Sequence, residues 1–133
     1  MGKTKNNAVV LCVDDEAVGL SVRKAMLESQ GYRVFTAANG PDALALFSAE
    51  PIDVVIVDYK MPGMNGDIVA ERMKWLKPFV PILMLSAYVD LPRETLALVD
   101  KYMTKGEAVP LLLEAIVDLL SAKHSRSKAI SME

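Results

Sequence analysis

The sequence predicts an α/β fold, a doubly wound five-stranded parallel sheet in the order 2-1-3-4-5 with helices on both faces. Three observations predict it. Residues 8–13 (AVVLCV), 54–57 (VVIV) and 82–85 (ILML) are short, almost wholly apolar runs that end at polar residues, the pattern of strands buried on both faces. Residues 32–37 (YRVFTA) and 101–104 (KYMT) mix polar with apolar side chains, as strands at a sheet edge do. Helically spaced stretches separate all five, and such alternation implies parallel strands joined by right-handed crossovers.

Taken in order, strand one at 8–13 is followed by a helix over 17–30. Its apolar stripe is read as Val18, Val22, Ala25, Met26 and Leu27, and Gly31 is its stop signal. Strand two at 32–37 leads through Asn39-Gly40 into a helix over 41–49, with Pro41 as a first-turn residue and Ala43, Leu44 and Phe47 facing inward. After strand three, a helix over about 67–76 repeats Ile68, Val69, Arg72, Met73 and Leu76 at three and four. A weaker helix follows Pro92, between strands four and five. The last helix runs over about 109–120, again with a proline near its start. With the apolar strands central and the mixed ones at the edges, the flavodoxin-like order 2-1-3-4-5 is selected among the common doubly wound sheets.

A length of 133 residues is one domain's worth, and 52% hydrophobic with 24% charged residues excludes intrinsic disorder. The net charge of -2 supplies no basic field for a phosphate backbone, so direct nucleic-acid binding is not expected. The single cysteine, Cys12, lies in an apolar run and reads as a buried small hydrophobe, which suits a reducing cytoplasm. The single histidine, His124, lies in a polar stretch, so His-based triads and His-metal sites are poorly supported. Residues 8–13 are too short for a signal-peptide core, and no run reaches the length of a membrane span. Of the methionines, Met61 and Met64 are expected to be exposed and the rest to fill core gaps.

In this topology the active crevice lies beyond the carboxyl ends of strands one and three, where the strand order reverses. Asp14, Asp15 and Glu16 follow strand one, and Asp58 follows strand three. Crowded carboxylates raise one another's pKa unless a cation neutralises them, and a hard divalent ion such as Mg2+, with its preference for oxygen ligands, is the natural answer. Strand four delivers the hydroxyl of Ser86 and strand five the ammonium of Lys105. A carboxylate with a metal ion, a fixed cation and a hydroxyl around it is equipped to form an acyl phosphate. Taken singly, Asp14-Asp15 reads equally as a helix cap, Asp58 and Ser86 as turn residues and Lys105 as a solvated lysine. Their joint placement at strand ends favours the site.

The segments VLCVDDE (10–16), VIVDYKMPGMNG (55–66), ILMLSA (82–87) and YMTK (102–105) resemble, in order, the receiver domain of two-component response regulators. The resemblance covers residues 8–121 and leaves 122–133 as a flexible polar tail. It implies that Asp58 is the phosphoacceptor and that Asp14 or Asp15 holds Mg2+ directly or through water, with the backbone carbonyl of Lys60 as a further ligand. It implies that Ser86 and Lys105 hold the phosphoryl group, that Ala87 leaves room for it, and that Tyr102 is an aromatic switch. Lys60 and Tyr88 would tune phosphoryl lifetime. The implied activity is that of a phosphoacceptor signalling domain, with Mg2+-dependent self-phosphorylation and self-dephosphorylation but no conventional enzymatic turnover. The implied partners are a histidine kinase or phosphotransfer protein and a downstream protein target or a second copy of the chain, with neither nucleic acid nor membrane.

Two features depart from the family pattern. Gly106 stands where the family usually has proline, and the segment 91–100 leaves room for only a short or irregular fourth helix. Both favour an alternative, a receiver-fold adaptor that works without phosphorylation. An aspartate-nucleophile phosphatase would want a second acid two residues after Asp58, where Lys60 stands. A flavin-binding domain would want a phosphate loop where the acidic Asp14-Asp15-Glu16 stands.

Overall fold

The computed structural model describes residues 7–87 and 90–131, of which 124–131 are described by their backbone alone. Strands β1 (Val9–Val13), β2 (Arg33–Ala37), β3 (Val54–Asp58), β4 (Ile82–Ser86) and β5 (Lys101–Thr104) alternate with helices α1 (Ala17–Ser29), α2 (Gly40–Ala49), α3 (Gly66–Leu76), α4 (Arg93–Leu96) and α5 (Val109–Ser131). All strand pairs are parallel and the order is β2-β1-β3-β4-β5, as the apolar and mixed runs predict. The three central strands are buried along their whole length, while β2 and β5 vary in exposure along theirs.

The sheet divides the core into two layers. Leu11, Val55, Val57, Ile82 and Met84 pack with Phe47 of α2 and Val69 and Met73 of α3. On the other face, Val10, Cys12, Ile56, Leu83 and Leu85 pack with Leu20 and Leu27 of α1 and Leu112 and Ile116 of α5. Cys12 sits within this layer, and burial pushes its thiol up to about 12, so it behaves as a packing residue. Two aspartates outside the site fasten the amino ends of strands. Asp53 Oδ2 accepts from the Val9 N–H at 2.8 Å, and Asp100 Oδ2 accepts from the Ile82 N–H at 2.8 Å and from Lys74 Nζ at 2.7 Å.

The phases of two helices and one turn correct three sequence readings. On α1 the inward stripe is Leu20, Arg23 and Leu27, whereas Val18 and Val22 face solvent, because an arginine with a buried partner stands where periodicity seeks an apolar residue. On α3 Val69, Ala70 and Met73 are buried and Ile68 and Leu76 are exposed. Met61 is buried, contrary to the expectation of exposure, and Met64 packs partly against the α2–α3 layer. The turn after β3 tucks Met61 in: its N–H donates to Asn65 Oδ1 at 3.0 Å and the Gly66 N–H donates to Tyr59 O at 2.7 Å.

The fourth helix is short, as Pro92 and the limited space predict, with Thr95 its buried residue. The fifth is longer than expected and continues past Leu120 to Ser131. Residues 122–130 contain neither glycine nor proline and are rich in alanine, lysine and serine, so nothing in the chain stops the helix there. Among the described residues no helix is long and apolar enough to cross a membrane.

Candidate functional site

The carboxyl ends of β1, β3, β4 and β5 converge, and each delivers a polar side chain to the same place. Asp58 is the last residue of β3, Asp14 and Asp15 follow β1, Ser86 ends β4, and Lys105 follows β5. The backbone fixes these positions through rungs that extend the sheet: the Tyr59 N–H donates to Leu85 O at 2.9 Å, and the Lys105 N–H donates to Ser86 O at 2.8 Å. Gly66 brings α3 close behind the acidic residue, for a Cβ there would overlap the Asp58 carbonyl oxygen. Gly63, with φ of +81°, supplies the left-handed residue that reverses the chain between β3 and α3.

Asp14 and Asp58 are 1% and 5% exposed, whereas Asp15 is open to solvent. A cavity of about 260 Å³ lies over them, lined by Asp15, Glu16, Asp58, Lys60, Ala87 and Lys105. Lys105 Nζ stands 3.2 Å from Asp14 Oδ2, 3.3 Å from Asp58 Oδ1 and 3.3 Å from Glu16 Oε1. Asp14 Oδ1 accepts from the Glu16 N–H at 2.9 Å, and the Arg23 guanidinium of α1 pairs with Asp14 Oδ2.

These partners divide the two buried acids. Burial pushes Asp14 up, but the Glu16 N–H, Lys105 and Arg23 outweigh it and hold Asp14 below the ordinary aspartate value. Asp58 has fewer partners; burial and then the charge of Asp14 raise it to about 6, against the pull of Lys105. Burial acts against the Lys105 ammonium, yet Asp58 and Asp14 hold its pKa above the usual lysine value. The cluster thus carries more negative charge than its own cations neutralise. One carboxylate oxygen from each of Asp14, Asp15 and Asp58 lies within 4.8 Å of the others, and this hard-oxygen set fits a small divalent cation.

The expected residues are therefore brought together with one exception among those described. Asp14, Asp15, Asp58, Lys60, Ala87 and Lys105 meet at the cavity or immediately beneath it, and Ser86 is buried beside them at the end of β4. Tyr102 is half-buried on the edge strand and lines a separate cavity of about 190 Å³ between β5 and α5. Tyr88 lies outside the described residues. Arg23 joins the site without having been expected there. It falls three after Leu20 and four before Leu27, on the buried stripe of α1, where a search for apolar periodicity passes over a charged residue.

The family model described as the response regulator receiver domain matches residues 10–117. The sporulation initiation phosphotransferase F of Bacillus subtilis is 34% identical over 85 residues, covering 64% of this chain and 68% of that protein. The autoinducer 1 sensor kinase/phosphatase LuxN of Vibrio harveyi is 31% identical over 122 residues, which cover 92% of this chain but 14% of LuxN. The chain thus spans about one-seventh of that relative's length. Among solved structures, a receiver domain protein from Methanospirillum hungatei superposes with a TM-score of 0.84 at 28% identity, covering 91% of this chain and 99% of that one. The response regulator protein TrrA from Thermotoga maritima, in complex with Mg2+ and BeF, gives a TM-score of 0.78 at 34% identity, covering 84% and 98% of the two chains.

Proposed function

Because this chain belongs to the response regulator receiver domain family, we propose that it accepts a phosphoryl group on Asp58 from a histidine kinase or phosphotransfer protein and thereby switches a protein-binding surface. It is a phosphoacceptor signalling module rather than a conventional enzyme. The observation that carries the reading is the carboxylate of Asp58 at the floor of the strand-end cavity, with Lys105 Nζ 3.3 Å from its Oδ1.

In this reading Asp58 attacks the donor's phosphorus, the acyl phosphate bond forms on its carboxylate, and the bond from phosphorus to the donor breaks. Lys105 pairs with the phosphoryl oxygens in place of the Asp58 charge it now faces, and Ser86 donates a hydrogen bond to them. Ala87, on the cavity wall, leaves the phosphorus approachable. Asp14, Asp15, Asp58 and the backbone carbonyl of Lys60 would hold Mg2+, which when bound supplies positive charge to the transferring oxygens. Tyr102 acts as the aromatic switch, and Lys60 and Tyr88 tune phosphoryl lifetime. The bistable element is the surface from β4 to α5, whose four-residue α4 has a single buried anchor, Thr95. The setting is cytoplasmic, and the output is a downstream protein or a second copy of the chain.

Incubation with Mg2+ and acetyl phosphate tests this reading by intact mass. One acid-stable, base-labile phosphoryl group is expected on the wild type and none on Asp58→Asn. Equal phosphorylation of the two would refute it. The adaptor reading draws support from the Arg23–Asp14 pair, which neutralises one acid from within the chain. A partner bound with the same affinity with and without beryllofluoride would favour it.

A further inference from the structure

Both carboxylate oxygens of Asp14 are engaged. Its Oδ1 accepts from the Glu16 backbone N–H at 2.9 Å, and its Oδ2 is shared by Lys105 Nζ at 3.2 Å and the Arg23 guanidinium. Lys105 has alternative acceptors in Asp58 and Glu16, whereas Arg23 pairs with Asp14 from an inward position of α1. A cation that takes Asp14 Oδ2 as a ligand must therefore contend with Arg23.

The space beside Arg23 lets it yield. A cavity of about 300 Å³ separates α1 from β5 and α5, lined in part by Gly19, Arg23, Met26, Thr104 and Leu112. Gly19 lies against this space beside the arginine: a Cβ there would make ordinary contact with Arg23 Nη1 at 3.7 Å. Arg23 forms one wall of this cavity while its guanidinium bonds to Asp14, so open space lies beside the side chain that pairs with the acid.

We propose that Arg23 is a built-in competitor of the divalent cation: it neutralises Asp14 while the cation is absent and withdraws into the cavity between α1 and α5 when the cation binds. The inference rests on the assignment of Asp14, Asp15 and Asp58 as the cation site. Its consequence is a receiver whose cation affinity is held down by its own helix α1, so that the site fills only at high cation concentration.

Calorimetric titration of Mg2+ into the wild type, Arg23→Met, Arg23→Gln and Lys24→Met tests it. Lys24 carries the same charge one residue away but pairs with Glu28 at 2.7 Å on the exposed face of α1. Both Arg23 variants are expected to bind Mg2+ about tenfold more tightly than the wild type, the size of a typical coupling between two charged ligands of one site. Lys24→Met is expected to stay within about twofold of the wild type, since an exposed paired lysine is largely screened. Wild-type or weaker affinity in both Arg23 variants, with unchanged unfolding midpoints, would overturn the inference. So would equal tightening in Lys24→Met, which would reduce the effect to net charge. Absence of Mg2+ binding in all four proteins would remove the cation site itself, and the inference with it.

Discussion

At the scale of single residues, the two buried acids respond to pH in opposite senses. Asp58, raised to about 6, binds its proton more tightly folded than unfolded. The stability this contributes is complete below the unfolded value and is lost as pH rises through about 6. Asp14, held low, contributes in the other direction: its stabilisation is present above the unfolded value and is lost as pH falls through the folded one. At neutral pH the metal-free protein therefore keeps an ionised Asp58 that its surroundings oppose. Asp58→Asn is expected to stabilise the metal-free protein by about 1–2 kcal/mol at about pH 7.5, and the gain is expected to shrink toward zero near pH ~4. Lys105 keeps Asp14 and Glu16 as partners in that variant, which limits the offsetting loss. Thermal unfolding at the two pH values checks this, and an equal gain at both would contradict it. The residues that carry this chemistry were legible because each follows or ends a strand in sequence. Arg23 was not, because a search for apolar periodicity passes over a charged residue, and what makes an inward arginine favourable is Asp14, nine residues away and buried only once the sheet forms.

At the scale of elements, local sequence marked where helices and strands lie better than it marked their faces and ends. Pro41 stands in the first turn of α2 as read, and the Asn39 side chain caps the helix by accepting from the Asp42 N–H at 2.8 Å. The face of α1 was misread because Val18, Val22 and Ala25 form a competing apolar stripe, and only packing on the sheet chooses between two stripes of similar quality. The glycines at the site show how far position decides a residue's role. Gly66 is pressed against the β3 backbone, so Gly66→Ala must push α3 away from Asp58. A loss of about 2–3 kcal/mol is expected, the cost of overpacking against rigid backbone, together with slower phosphorylation by acetyl phosphate. Gly106 stands at the family's usual proline, yet its φ lies outside the left-handed region and a Cβ there would meet nothing within 4 Å. Gly106→Ala is therefore expected to be neutral or to stabilise by up to about 1 kcal/mol through the unfolded chain. Chemical denaturation of the two variants checks both, and a destabilised Gly106→Ala would mean that the loop after β5 needs glycine's freedom.

At the scale of the whole molecule, the strand order was legible because burial in a parallel sheet is graded from centre to edge, and composition records that grading run by run. The length of α5 was not, because its end is set by geometry rather than by a stop signal. A strand of five residues spans about 17 Å, whereas the 23 residues of α5 span about 35 Å, so the helix is about twice as long as the sheet it packs on. It starts beside the strand ends that form the site and runs toward the opposite end of the sheet. Its buried residues are Leu112, Ala115 and Ile116, with Leu119 and Leu120 partly covered. Lys123 Nζ then reaches Asp53 Oδ1 at 3.2 Å, and Asp53 immediately precedes β3 at the foot of the sheet. The helix has crossed the sheet by this point, and we propose that the folding unit closes here. A chain cut after Lys123 is expected to unfold within about 0.5 kcal/mol of the full chain, the range of changes remote from the core. A chain cut after Asp118 loses Leu119, Leu120 and the Lys123–Asp53 pair, and a loss of about 2–4 kcal/mol is expected from the uncovered apolar surface. Urea unfolding midpoints separate the two cuts. A large loss on removing 124–133 alone would show that the distal turns of α5 pack on the domain and belong to its core.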